Sequence, residues 1–167
     1  MDKKKQMVEL HLEIDYLKRK MESNLVGQFV EKDDICLNKT ANMAIHFIKR
    51  EGEVMPSNLA KYLEIKKSSA TSLIYSLEAE GLVYRNDDPS DRRKTLLGLT
   101  EKGLERSEYM LDKMCSVASE CMSDLSDEDI DEALNAQKVL IKFHKHMHSH
   151  ALLILEKIAR EKRSDNN

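Results

Sequence analysis

Pro89-Ser90-Asp91-Arg92-Arg93-Lys94, followed without a break by Thr95-Leu96-Leu97-Gly98-Leu99-Thr100-Glu101-Lys102-Gly103, is the stretch on which the fold turns. Pro, Ser and Asp each favour a tight turn, by fixing φ or by hydrogen bonding to the local backbone. Three consecutive cations make that turn charge-dense. Residues 95–99 are β-prone, and Thr100 can cap a helix that starts just after it. Ahead of the turn, Gly81-Leu82-Val83-Tyr84-Arg85-Asn86 is a second strand-like run. The segment predicts two strands, 82–86 and 95–99, joined by a basic tip within 86–95.

Upstream, the helix signals follow one another closely. Asn38 can cap a helix whose inward face is Ala41, Ala44, Ile45 and Ile48, and Arg50-Glu51-Gly52-Glu53 ends it. Pro56-Ser57 reads as the next start, with Ser57 as cap and Leu59, Ala60 and Leu63 facing inward. After Glu64-Ile65-Lys66-Lys67, Ser68 is expected to cap a helix over 68–80 that buries Ala70, Leu73, Ile74 and Leu77. Gly81 supplies its C-terminal cap. Two short helices separated by a turn of about three to four residues make a helix-turn-helix. With the strand pair at once after it, the arrangement is a winged helix-turn-helix, and DNA becomes the first candidate ligand.

The flanks are helical in a different way. From Met7 to Gln28, the residues Leu10, Ile14, Leu17, Met21 and Leu25 form a narrow stripe suited to a partner helix, closed by Gly27 and Glu31-Lys32-Asp33-Asp34. Beyond Thr100, Leu104, Leu111, Met114, Ala118, Cys121 and Leu125 make an apolar seam through a helix of about seven turns. Ser126-Asp127-Glu128-Asp129 is a strong helix start, and the last helix carries Ile130, Leu134, Leu140, Ile141, Met147, Ala151, Leu155 and Ile158. One small module cannot cover these stripes, so a two-fold homodimer with interlocked terminal helices is expected. The fold class is mainly α, an α+β winged helix-turn-helix with long terminal helices. The division reads 1–37 for an N-terminal dimerisation helix, 38–100 for the DNA-binding module, 101–163 for the C-terminal dimerisation helices and 164–167 for a disordered tail.

Composition narrows the function classes. Charged residues make up 34% of the 167, aromatics 5%, and only two prolines and five glycines interrupt the chain, which favours long helices. A net charge of −3 excludes a generic polyanion binder, so DNA affinity must come from local clusters. No apolar run reaches the ~20 residues a membrane span needs, and the N-terminal charges lead into no signal-peptide core, so a cytoplasmic protein is expected. Three cysteines, Cys36, Cys115 and Cys121, are an odd number without CxxC spacing and argue against a disulfide framework. No Gly-rich phosphate loop, HExxH or nucleophile elbow is present, so no enzymatic activity or cofactor is expected.

Asp91-x-Arg93, then Leu96-x-x-Leu99-Thr100-x-x-Gly103, together with Leu77-x-x-x-Gly81-Leu82-Val83, resembles the MarR (multiple antibiotic resistance regulator) family. The likeness is detailed over 37–103 and looser to Leu125-Ser126-x-Glu128. It implies a homodimeric transcriptional regulator, most often a repressor, on a pseudo-palindromic operator in double-stranded DNA. It also implies that helix 68–80 enters the major groove. The wing arginine, Arg93 or its neighbour Arg92, would reach the minor groove, oriented by Asp91. Release in this family usually follows binding of a small aromatic or lipophilic anion, a metal ion or an oxidant.

The residue chemistry can be weighed beside that resemblance. Arg92, Arg93 and Lys94 put three cations on a hairpin tip, and an arginine in a narrow minor groove reads shape more than base identity. Asp91 is placed to hold an arginine by a bidentate contact. The plainer alternative is a solvated turn. On the helix, Ser69, Ser72, Tyr75 and Ser76 oppose the apolar face, Ser68 adds backbone donors at the start, and Lys66 and Lys67 suit phosphates. The family often carries arginine at the positions of Ser72 and Ser76, so weight moves here from base readout to the wing and backbone contacts.

Other residues support lesser alternatives. His144 and His148, like His146 and His150, have the i, i+4 spacing that lets two imidazoles share a metal, but the pairs point to different faces. Surface or interface histidines are the plainer reading, and a metal-responsive regulator is the alternative. A winged-helix module that docks another protein is the other alternative. His46 reads as a packed or pocket-lining residue, Cys115 and Cys121 as apolar fillers, and Met43, Met110 and Met114 as core or pocket wall. Cys36 follows two acids that disfavour its thiolate, which argues against redox sensing.

Overall fold

The helix and strand signals resolve, in a computed structural model, into six helices and a two-stranded sheet among the described residues. Those residues are 2–29, 38–89 and 91–164, and within them the side chains of 22, 24–29, 92, 159 and 162–164 are outside the description. Among the described residues the chain is mostly helical. It divides into two compact units, Met1–Asp112 and Lys113–Asn167.

The first unit contains α1 (Lys3–Phe29), α2 (Lys39–Glu51), α3 (Pro56–Tyr62), α4 (Lys67–Ala79), β1 (Val83–Asp88), β2 (Asp91–Leu99) and the start of α5 (Glu101–Cys121). Its core is the apolar set expected from spacing. Ala41, Ala44, Ile45 and Ile48 of α2 meet Leu59 of α3, Ile74 and Leu77 of α4, and Leu82, Val83 and Leu97 of the wing base. Leu63 and Leu73 pack against this cluster while keeping some exposure. Truncating a fully buried leucine here, such as Leu77, removes about 2–5 kcal/mol.

The helix ends show the local chemistry that positions the module. Asn38 Oδ1 accepts the Ala41 N–H at 2.9 Å, as the sequence suggests. The next two starts are corrections. Met55 and Lys66 are the N-caps of α3 and α4, and neither makes a side-chain cap bond. Ser57 therefore lies inside α3, because Pro56 occupies the first turn, where its fixed φ and missing N–H cost nothing. Ser68 likewise lies inside α4, which runs over 67–79 and not 68–80.

At the other end of α4, Gly81 adopts φ +69, its N–H donates to the Glu78 carbonyl at 2.9 Å, and Leu82 N–H donates to the Leu77 carbonyl at 2.9 Å. This is a Schellman closure, sealed by the apolar contact of its two ends, Leu77 and Leu82, both fully buried. The chain leaves it straight into β1.

β1 and β2 pair antiparallel from Val83↔Leu99 to Asp87↔Thr95, after which Asp88 pairs with Asp91. The register thus jumps by three residues on β2, so Arg92, Arg93 and Lys94 form a bulge with no partner positions on β1. The strands are longer than 82–86 and 95–99, and the cations belong to a strand bulge and not to the turn. Val54 adds a third strand position through two hydrogen bonds to Leu97, at 3.0 and 2.8 Å.

α5 is pinned to the wing base by its first residues. Thr100 Oγ1 accepts the Gly103 N–H at 3.0 Å and donates to the Gly81 carbonyl at 2.6 Å, while Thr100 N–H donates to the Leu82 carbonyl at 3.1 Å. Gly103 is required there, since a Cβ would stand 2.1 Å from the Leu82 carbonyl oxygen. Lys49 of α2 pairs with Glu108 of α5. α5 has 21 residues, shorter than the seven turns expected, and Leu125 falls beyond its end.

In the second unit, α6 (Asp127–Ser164) starts with a reciprocal cap. Ser126 Oγ accepts the Asp129 N–H at 3.2 Å, and Asp129 Oδ2 accepts the Ser126 N–H at 3.2 Å. The hydrogen bond from the Ser126 hydroxyl holds the Asp129 carboxyl below its ordinary range. The apolar stripes face outward in the single chain: Leu10, Leu17 and Met21 on α1, Leu111 and Met114 on α5, and Leu134, Ile141, Met147 and Leu155 on α6 are all exposed. Leu25, Gly27, the acidic run 31–34, Cys36 and the tail beyond 164 fall outside the described residues or side chains.

Candidate nucleic-acid interface

The apolar face of α4 is fixed by Ala70, Ile74 and Leu77, which dictates what its other face presents. Lys66, Lys67, Ser68, Ser69, Ser72, Tyr75 and Ser76 are all exposed, as the spacing requires. Thr71 joins them, a position that the sequence reading missed although it lies on the same arc. Two of these hydroxyls bond inward along the helix. Thr71 Oγ1 donates to the Lys67 carbonyl at 2.9 Å, and Ser72 Oγ to the Ser68 carbonyl at 3.2 Å.

Tyr75 is the largest group on this face, 65% exposed. The guanidinium of Arg85, on β1, lies over its ring at 5.2 Å from the centroid. Arg85 Nε donates to both carboxylate oxygens of Glu78 at 2.9 Å. This wing-to-helix link was also missed, because it joins residues on different elements. The available signal was an acid and an arginine flanking the Gly81 turn.

In the bulge, Asp91 acts mainly on the backbone. Its Oδ1 accepts the Arg93 N–H at 3.1 Å and meets Arg93 Nε at 3.4 Å, and its Oδ2 lies 3.8 Å from Lys94 Nζ. The expected bidentate clamp is therefore a one-oxygen contact with the arginine side chain, because Asp91 divides its two oxygens between neighbours. The Arg93 side chain remains 94% exposed, so Asp91 sets its point of departure and leaves its reach free. The side chain of Arg92 lies outside the description. Lys94 borders a hollow of about 270 Å³ with Phe47, Glu53, Asp88 and Leu96 at the base of the wing. Nearby, Tyr84 donates to Glu53 at 3.1 Å, and that hydrogen bond pushes its phenol up from the ordinary value.

The remaining candidate residues do not converge on a site. His144 Nδ1 meets the Leu140 carbonyl of its own helix at 2.8 Å, and the His146 and His150 rings lie 4.8 Å apart. Among the described residues no group of three His, Cys, Asp or Glu is placed to hold a metal. His46, Cys115 and Cys121 are exposed, not packed, and Met43 and Met114 are exposed as well, against the expectation of core filling. The buried polar residues of α5, Arg106 and Ser107, were not anticipated, and Arg106 lies over the Tyr109 ring at 5.4 Å.

With this geometry in hand, comparison with known proteins is informative. The model of the MarR family matches residues 37–95. The HTH-type transcriptional repressor YetL of Bacillus subtilis (strain 168) is 28% identical over 124 residues, 74% of each chain. Among solved structures, transcriptional regulator Tm0710 from Thermotoga maritima superposes with a TM-score of 0.64 at 26% identity, over 87% of this chain and 98% of that one. A mutant of S. aureus MepR bound to an oligodeoxyribonucleotide superposes with a TM-score of 0.57 at 21% identity, over 78% of this chain and 97% of that one. MepR has also been solved with ethidium bromide.

Proposed function

We propose that the chain, whose residues 37–95 match the MarR family, is a transcriptional repressor of that family that binds a pseudo-palindromic operator as a homodimer. The observation that carries this reading is the bulge in β2, which sets Arg93 94% exposed while Asp91 holds its backbone. An arginine so placed suits a narrow minor groove, where negative potential is concentrated. The exposed hydroxyl and lysine face of α4 suits the major groove, with Lys66 and Lys67 toward phosphates. The outward apolar residues of α1, α5 and α6 support a second copy as their cover, so the outer segments 1–37 and 101–163 act in dimerisation. The repressor acts in the cytoplasm; among the described residues no helix is long and apolar enough to cross a membrane. A small aromatic or lipophilic effector releases the DNA, by analogy with the ethidium-bound relative.

The test begins with duplexes that the wild-type protein enriches from a randomised pool. Fluorescence anisotropy then compares wild type with Arg93→Ala. The variant should bind more weakly, and the slope of log affinity against log salt should fall by about one. Equal affinity for wild type and variant would show that the wing makes no contact. A wild type that enriches no duplex would favour the protein-docking alternative. Sedimentation of the full chain measures the dimer independently.

A further inference from the structure

Arg85 joins the wing to the reading helix, and the proposed function gives it no role. It stands on β1 opposite Leu97, donates through Nε to both oxygens of Glu78 at 2.9 Å, and lies over the Tyr75 ring at 5.2 Å. The Arg85 and Glu78 side chains are 35% and 26% exposed, against 65% for Tyr75. The ion pair is thus the partly shielded layer, and the ring is the layer that faces out. A planar guanidinium suits both contacts, since its edge meets a carboxylate while its face meets a ring.

The pair does little that an isolated charge would do. Its charges cancel, so it adds little attraction for phosphate, and a partly exposed ion pair contributes little stability. Its effect falls on freedom. A tyrosine on an exposed helix face samples several rotamers, and any contact it makes must offset the cost of ordering it. A guanidinium under the ring meets part of that cost before a ligand arrives.

We infer that Arg85 is a positioning residue for sequence selection: held by Glu78, it fixes Tyr75 in one orientation for contact with base edges. This rests on the DNA-binding reading above. It predicts an effect on the ratio of affinities for selected and scrambled duplexes, with little effect on affinity for DNA in general.

The test uses the full chain, the duplex enriched by wild type, and a scrambled duplex of the same composition. Arg85→Lys keeps the charge but loses the planar fork, and should lower the affinity ratio about five- to tenfold with the salt slope unchanged. Tyr75→Ala should lower it by a similar factor, Tyr75→Phe should retain it, and Arg85→Lys combined with Tyr75→Ala should lose no more than either alone. Glu78→Gln weakens the hold on Arg85 without altering it, and should lower the ratio while strengthening binding to the scrambled duplex. Thermal melting of each variant reports folding separately.

Three results would overturn the inference. Full additivity of the two substitutions would show that Arg85 and Tyr75 act independently. Equal loss on both duplexes in Arg85→Ala, with the salt slope reduced by about one, would make Arg85 a phosphate contact. An Arg85→Lys protein indistinguishable from wild type would remove the role while leaving DNA binding intact. Failure of the wild type to enrich any duplex would instead bring down the DNA-binding reading itself, and this inference with it.

Discussion

Substituting Gly103 by alanine tests whether the start of α5 must lie against the wing base. In the native structure a Cβ at this position would stand 2.1 Å from the Leu82 carbonyl oxygen and 3.1 Å from its carbon. Ordinary contact between such atoms is near 3.4 Å or more, so the helix and the backbone of Leu82 must separate by more than about 1 Å. That carbonyl also accepts the Thr100 N–H at 3.1 Å, and Thr100 Oγ1 reaches the Gly81 carbonyl at 2.6 Å. Leu82 itself is fully buried, so the strain enters the core. Overpacking of this kind costs about 1–3 kcal/mol. Weakening two hydrogen bonds adds about 1 kcal/mol each, and the better helix propensity of alanine returns about 1 kcal/mol. The net expectation is a loss of about 2–4 kcal/mol, a large part of the stability of a domain this size. Urea unfolding at fixed protein concentration measures it as a lowered midpoint with an unchanged slope. A variant as stable as wild type, or more stable, would refute the close approach and the account of the wing base built on it.

Gly81→Ala isolates a different cost: a Cβ meets nothing within 4 Å there, yet φ is +69, so the expected loss is about 1 kcal/mol from backbone conformation alone, read from the same unfolding curves. Asp91→Ala frees the Arg93 backbone without removing its charge, so affinity for the selected duplex should fall about two- to fivefold, less than for Arg93→Ala, as anisotropy will show. Ser126→Ala removes the hydrogen bond that holds the Asp129 carboxyl low, so its pKa should rise toward the ordinary value in a carboxyl-detected NMR titration. Because the folded value is lowered, the associated stability is present at neutral pH and above the ordinary carboxylate value, and is lost as pH falls through the folded value; the variant should lack that acid-limb dependence.

The parts of the fold that were legible in the sequence are those set by local rules. Asn38, Gly81, Thr100 and Ser126 each act within a few residues of themselves, and each caps as its chemistry suggests. The buried faces of α2 and α4 follow from periodicity alone. Ser57 and Ser68 misled because a cap residue is only a candidate; Pro56 and the preceding extended residues moved both helix starts earlier. The bulge at Arg92, Arg93 and Lys94 depends on cross-strand register, and composition carries no mark of it. The link among Arg85, Glu78 and Tyr75 is a contact between elements, which a one-dimensional pattern records only as two opposite charges near a turn. Cys115, Met114 and the outer leucines show the reverse limit. Their apolar character was legible, whereas in the single chain they stand exposed.

A hydroxyl carries a single hydrogen, and Thr71 and Ser72 have given theirs to carbonyls one turn back in α4. Toward solvent each therefore offers lone pairs only. At these two positions α4 is an accepting surface, and a partner that hydrogen-bonds there must bring the hydrogens. In the major groove those hydrogens belong to the amino groups of adenine and cytosine, whereas guanine and thymine turn acceptors outward. An arginine at position 72 would impose the opposite polarity, so on the proposed DNA-binding function the serine there would change the sign of the contact as well as its strength.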